Sequence, residues 1–143
     1  MQPSIEQEGE FKGWQYWPEE PFESRAGPFY RMVDDKGVIG AFRAERRHMN
    51  AGGSVHGGCL MSFADFMLFS IAWDSFTDGS MGVTLTMNSE FLAAAREGEL
   101  LTSRGEVLRA GRSVLFVRGM IHAEERPCFS FSGTIKKFSP RPA

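Results

Sequence analysis

Residues Asn50-Ala51-Gly52-Gly53-Ser54-Val55-His56-Gly57-Gly58 run directly into Cys59-Leu60-Met61-Ser62-Phe63-Ala64-Asp65-Phe66-Met67-Leu68-Phe69, a glycine-rich turn opening onto an apolar stretch. From about Gly57 to Trp73 no Pro interrupts the run and no Gly follows Gly58, which predicts one long helix. A helix that is apolar on nearly every face is buried, and a carboxylate is among the side chains least often buried without a partner. Asp65 therefore needs an explanation.

The flanking sequence reads as strands. Phe29 to Val33 and Val38 to Ala44 are short apolar runs joined by Asp34-Asp35-Lys36-Gly37, whose Asp and Gly are hairpin-turn residues. Beyond the helix, Val83, Leu85 and Met87 alternate with Thr84, Thr86 and Asn88, the period of a strand with one buried face. A turn at Arg96-Glu97-Gly98 leads to Leu100–Leu108, Ala110-Gly111-Arg112 turns back into Ser113–Ala123, and Glu124-Glu125-Arg126-Pro127 turns again into Cys128–Phe138. Short links favour antiparallel neighbours, so the expected class is α+β, an antiparallel sheet curled around one central helix. Residues 1–27, with Trp14, Tyr16, Trp17 and Phe22 among prolines, read as an irregular arm that lays aromatics on the body. Residues 28–139 form the domain, and 140–143 a loose tail.

Composition narrows the function. A chain of 143 residues suits one domain that buries roughly two thirds of its unfolded surface. A net charge of -2 argues against a nucleic-acid surface or a polybasic membrane contact and for a small-molecule ligand. The apolar run Cys59–Trp73 is interrupted by Asp65 and is shorter than the ~20 residues that span a bilayer. Met1 to Glu10 is polar and acidic and unlike an export signal. Cys59 and Cys128 stand outside any CxxC or Cys/His spacing, which suggests neither a disulfide framework nor a zinc site and fits a reducing cytoplasm.

The turn and Asp65 suggest a chemistry. The first N–H groups of a helix lack intrahelical partners and carry partial positive charge, so the Gly57 and Gly58 amides can hold an oxygen as it becomes an oxyanion. Asp65 lies eight residues on, about 12 Å along the axis. A reacting carbonyl must sit ~3 Å from its oxyanion donor and close to the base, which one copy of the helix cannot easily supply. Two antiparallel helices across a two-fold axis remove the difficulty, and a homodimer with two equivalent sites is expected. Burial disfavours the ionised form of a carboxylate, which moves such groups toward the range useful to a general base. The competing reading is structural: Asp65 bonded to Ser62 or to a backbone amide.

Asn50, His56-Gly57-Gly58 and Asp65 together resemble the hotdog-fold acyl-CoA thioesterases of the PaaI-like branch, near the 4-hydroxybenzoyl-CoA thioesterases. The match is best from Asn50 to Trp73, continues more loosely through Gly82–Asn88 and Gly111-Arg112, and leaves out Met1–Gly27. The resemblance implies hydrolysis of an acyl-CoA thioester, with the Gly57 amide and Asn50 side chain on the thioester oxygen. It also implies that Asp65 of the opposing subunit acts as nucleophile or general base and that the Thr84 hydroxyl orients the water. It implies no cofactor beyond the coenzyme A of the substrate, and a homodimer or a dimer of dimers. By period-two counting Thr84 points away from Val83 and Leu85, so it reaches the site only if the polar face of the strand meets the dimer interface.

Other residues keep two readings. His56 is tempting as a base because imidazole as a group titrates near neutral pH, yet inside a tight turn a structural role that fixes the Gly57 amide is favoured. His48 and His122 have no catalytic neighbour in sequence and read as surface or strand residues. Asn50 is also a common turn residue. Arg46, Arg47, Arg109 and Arg112 are candidate phosphate partners for coenzyme A, or solvated surface. Met61, Phe66 and Phe69 wall an acyl pocket or belong to the core, and Gly58 borders the substrate. Two alternatives to hydrolysis stand: hydration of an enoyl thioester by His56 and Asp65, and acyl-CoA binding without turnover. The chain lacks the bulky Pro-containing segment after the His that such hydratases carry, and a desolvated carboxylate adds nothing to a pure binder.

Overall fold

The computed structural model describes residues 2–140, so the expected tail lies, Pro140 apart, outside the described residues. In chain order the elements are β1 (Ser4–Ile5), β2 (Gln15–Tyr16), a single helical turn α1 (Glu23–Ala26), β3 (Tyr30–Asp34), β4 (Gly37–Arg43), α2 (Gly57–Ile71), β5 (Met81–Phe91), β6 (Leu100–Ala110), β7 (Val114–Ala123) and β8 (Arg126–Phe138). Among the described residues the strands form one eight-stranded antiparallel sheet in the order β1-β2-β3-β4-β6-β7-β8-β5. Helix α2 packs against β4, β5, β6, β7 and β8, which gives the expected sheet around one long helix, the hotdog arrangement.

The core follows from the helix sequence. Leu60, Phe63, Ala64, Phe66, Met67 and Leu68 are buried, and Phe29 and Phe42 from the β3–β4 side pack edge-on or tilted against Phe63. Each of the Leu, Phe and Met side chains contributes about 1.5–3 kcal/mol on burial, so α2 is held by packing on several sides rather than by one apolar stripe. The β3–β4 hairpin closes as the Asp/Gly turn predicts: Asp34 pairs with Gly37, the Lys36 N–H donates to Asp34 Oδ1 at 2.9 Å, and Gly37 takes φ +107°. Strand β8 begins at Arg126, two residues before the expected start.

Two expectations for β5 are corrected. Although β5 and β6 follow one another in sequence, β7 and β8 lie between them in the sheet, and the segment 92–99 crosses over. It is pinned there by the turn before α2, through Val55 N–H to Ala95 O at 2.8 Å and a bridge between Ser54 and Arg96. A bulge between Thr84 and Thr86 shifts the alternation, so Val83 and Leu85 are 47% and 51% exposed while Thr84 turns inward. Strand β5 is thus the open edge of the sheet, eleven residues long and rich in exposed apolar side chains.

The segment read as an irregular arm adds β1 and β2 to the other edge and then crosses to α2. Phe11 stacks on Tyr30 at 4.3 Å, and the Arg43 guanidinium grips Glu10. Near its end the Arg47 guanidinium donates to the carbonyls of Arg25 (2.5 Å) and Gly27. Among the described residues no helix is long and apolar enough to cross a membrane, and Cys59 and Cys128 are both free thiols.

Candidate active site

His56 is the N-cap of α2, and its Nδ1 accepts the Gly58 N–H at 2.8 Å. The His56 carbonyl takes the Cys59 and Leu60 amides at 2.9 and 3.2 Å. Of the first helical amides, Gly57 N–H is left without an acceptor among the described residues. The Gly58 amide, expected as a second oxyanion donor, is occupied by the imidazole. His56 therefore serves the local structure, and a cap of this kind contributes about 0.5–2 kcal/mol. Both glycines sit close to a side chain: a Cβ on Gly57 would lie 2.9 Å from Phe91 Cε1, so that something must shift, and one on Gly58 would lie 3.0 Å from His56 Nδ1, so that the imidazole must give slightly.

Asn50 stands beside this helix end. Its Oδ1 accepts the amides of Gly52 (2.9 Å) and Ser54 (3.1 Å), so the turn role is real and the Nδ2 donor remains for a ligand. Asn50, Gly57, Leu60 and Phe91 line one cleft of about 310 Å³.

Asp65 lies two turns further along α2. Its partner is Thr84, whose Oγ1 donates to Asp65 Oδ1 at 2.6 Å; Ser62 instead donates to Gly58 O at 2.7 Å. The bulge in β5 is what turns Thr84 toward the helix, so it meets Asp65 within one chain rather than through a dimer contact. Asp65 is half-buried, not enclosed as the apolar run suggested.

Two further clefts meet at Asp65. Toward the helix N-terminus, Met61, Ser62 and Met87 line one of about 380 Å³; toward the C-terminus, Phe66, Phe69, Ser70 and Trp73 line one of about 320 Å³. Glu20 and Glu23 border both. These arm residues, with Trp17 in the second cleft, were missed from sequence. No local pattern marks them, since their neighbours on α2 lie some forty residues away. Burial, reinforced by the charges of Glu20 and Asp65, pushes Glu23 up to about 7 from an ordinary 4.5.

That shift sets a sign for stability. Between pH 4.5 and about 7 the folded chain holds a proton on Glu23 that the unfolded chain has lost, so this residue makes stability fall as pH rises through that window. Thermal melts from pH 4.5 to 7.5 should show a steeper fall for the native chain than for Glu23→Gln; parallel curves would contradict the assignment.

The remaining candidates divide. Arg109 and Arg112 are exposed at the β6–β7 end and have no ion-pair partner among the described residues. The ladder Thr84–Ile135–Leu115–Ala110 places them three strands from the Asp65 site, about 15 Å away. Arg46 is open to solvent, 4.0 Å from Glu97, whereas Arg47 is committed to the arm carbonyls and is not free for phosphate. His122 lies in β7, but His48, expected at the surface or in a strand, is buried in a 3-10 turn; its Nδ1 accepts the Glu45 amide at 2.9 Å. Among the described residues no group of three or more His, Cys, Asp or Glu could hold a metal.

The chain is similar to known proteins. The model of the family described as "Thioesterase superfamily" matches residues 52–129. A Pseudomonas aeruginosa protein named "Putative esterase PA0474" is 31% identical over 115 residues, covering 79% of this chain and 85% of its own. Human "Acyl-coenzyme A thioesterase 13" is 30% identical over 79 residues, 55% of this chain and 56% of that protein, so the chain spans little more than half of that relative. Among solved structures, a point mutant of the phenylacetic acid degradation protein PaaI from Thermus thermophilus superposes with a TM-score of 0.70 at 22% identity, over 83% of this chain and 100% of the other.

Proposed function

Because the chain belongs to the thioesterase superfamily, we propose that it hydrolyses an acyl-CoA thioester to a free acid and coenzyme A, at sites shared between two copies. One observation carries the reading. The helix offers an unpaired Gly57 amide at its end and a Thr84-anchored Asp65 about 12 Å away, two half-sites that a single copy does not join.

The open β5 edge supports the second copy. An eleven-residue edge with exposed Met81, Val83, Leu85 and Phe91 is a template for pairing with another strand. Thr84 stands with Asp65 and Phe91 with Gly57, seven residues apart on β5. Antiparallel pairing of β5 about its middle brings Thr84 and Asp65 of one copy beside Gly57 of the partner subunit.

The chemistry then follows. Asp65 takes a proton from water as the water oxygen attacks the thioester carbon. The resulting oxyanion is held by the Gly57 amide and the Asn50 Nδ2 of the partner subunit. Collapse breaks the C–S bond, and the departing thiolate takes the proton from Asp65, which leaves the carboxylate ready for another cycle. The Thr84 hydroxyl fixes Oδ1, so Oδ2 is the free oxygen for water. Hydration by His56 is disfavoured because the imidazole is engaged in capping.

The test is release of free thiol from a panel of acyl-CoAs. Stoichiometric acid and thiol are expected. Binding without release would contradict hydrolysis, and addition of water to an enoyl-CoA without thiol release would favour the hydratase.

A further inference from the structure

The arm lies outside the residues that the family model matches, yet it crosses to the face of α2 that bears Asp65. Trp17 packs edge-on to Phe66 with ring centroids 5.9 Å apart and lies 5.6 Å from Trp73. With Phe69 these rings wall the C-terminal cleft at Asp65, whose volume of about 320 Å³ is on the order of twice the ~150 Å³ of a cavity that admits benzene. The arm is tied at its start by Glu10 to Arg43 and at its end by Arg47, so Trp17 is part of a held wall rather than a loose flap.

Resting on the thioesterase reading, we propose that the N-terminal arm completes the acyl-binding pocket, with Trp17 as a specificity-determining residue that admits a compact, uncharged acyl group of about ring size. The thioester carbonyl sits at Asp65, between the two clefts, and the acyl group extends away from the β5 edge, toward Trp17 and Trp73. Four aromatic rings favour an apolar or aryl group over a polar one. An acyl chain ending in a carboxylate is disfavoured, because its charge would be desolvated against the rings of a cleft that Glu20, Glu23 and Asp65 also line. A cleft of about 320 Å³ is at the small end of ligand pockets, which favours a short acyl group over a long one.

The test reads binding, not turnover. Phenylacetyl-CoA, glutaryl-CoA and palmitoyl-CoA analogues, each with a methylene between sulfur and carbonyl so that no thioester remains, are titrated by calorimetry into the native chain, Trp17→Ala and Trp17→Leu. The phenylacetyl analogue should bind the native chain at least tenfold more tightly than the other two and about tenfold more weakly to the Trp17 variants. Coenzyme A itself should bind all three proteins alike. Trp17→Leu keeps an apolar filler on the core, so the comparison survives if Trp17→Ala unfolds. Equal affinity of the phenylacetyl analogue for native chain and variants, or tighter binding of the palmitoyl analogue, would overturn the proposal. Absent thiol release from true thioesters bears on the hydrolytic reading alone.

Discussion

Asp65→Asn is expected to lower kcat for acyl-CoA hydrolysis by about 10²- to 10⁴-fold, the range for loss of a general base. The amide keeps the carboxylate's shape and can still accept the Thr84 hydroxyl, so melting temperature and KM should change little. A stopped assay for thiol release, with circular dichroism as the folding control, measures this. Thr84→Val should give a smaller loss, since it frees the carboxylate to rotate but leaves the carboxylate in place. Activity of Asp65→Asn within a few-fold of the native chain would remove this residue from the chemistry and leave the Thr84 hydrogen bond as a structural contact.

The second large effect is at the helix end. A methyl group on Gly57 meets the Phe91 ring at 2.9 Å, closer than real Cβ atoms come, so Gly57→Ala must displace the ring or the helix terminus. A misplacement of about 1 Å at an oxyanion donor costs about 10²-fold in rate, and loss of the donor on the order of 10²- to 10³-fold. Removing the obstacle should restore part of the activity: Gly57→Ala with Phe91→Ala is expected to exceed Gly57→Ala alone by about tenfold. Phe91 also packs edge-on to Phe129 at 4.9 Å, so the melting temperature of the double variant will fall while its kcat rises. No rescue, with both proteins folded, would indicate that the amide position is not what the substitution damages.

Much of this was legible in the residues because it is local. The apolar run and its glycine turn specify α2 and its buried faces, and the hairpin at Asp34–Gly37 reads directly from turn chemistry. Around the residues singled out on the helix the structure gives definite contacts: Asp65 and Thr84 meet, and the Gly57 amide has no acceptor among the described residues. What stayed hidden depends on contacts distant in sequence. The β5 bulge reverses the faces of Thr84 and Leu85, and strict period-two counting has no means of placing an extra residue. The position of β5 at the sheet edge arises from the crossover at 92–99, whose length resembles that of an ordinary turn. Gly58 loses its donor role to a neighbouring imidazole, a competition between two local partners that spacing does not resolve. Trp17, Glu20 and Glu23 reach Asp65 only because the arm traverses the molecule after pairing at the far edge.

The direct test of the shared site is complementation. Asp65→Asn and Gly57→Ala, each nearly inactive, are co-expressed with different affinity tags, and the species carrying both tags is isolated. In that heterodimer one site combines Asp65 of the second variant with Gly57 of the first, both intact, while the other site carries both changes. About half of the native activity per dimer is expected. A doubly tagged dimer no more active than its parents, or a native chain that remains monomeric at micromolar concentration, would contradict it.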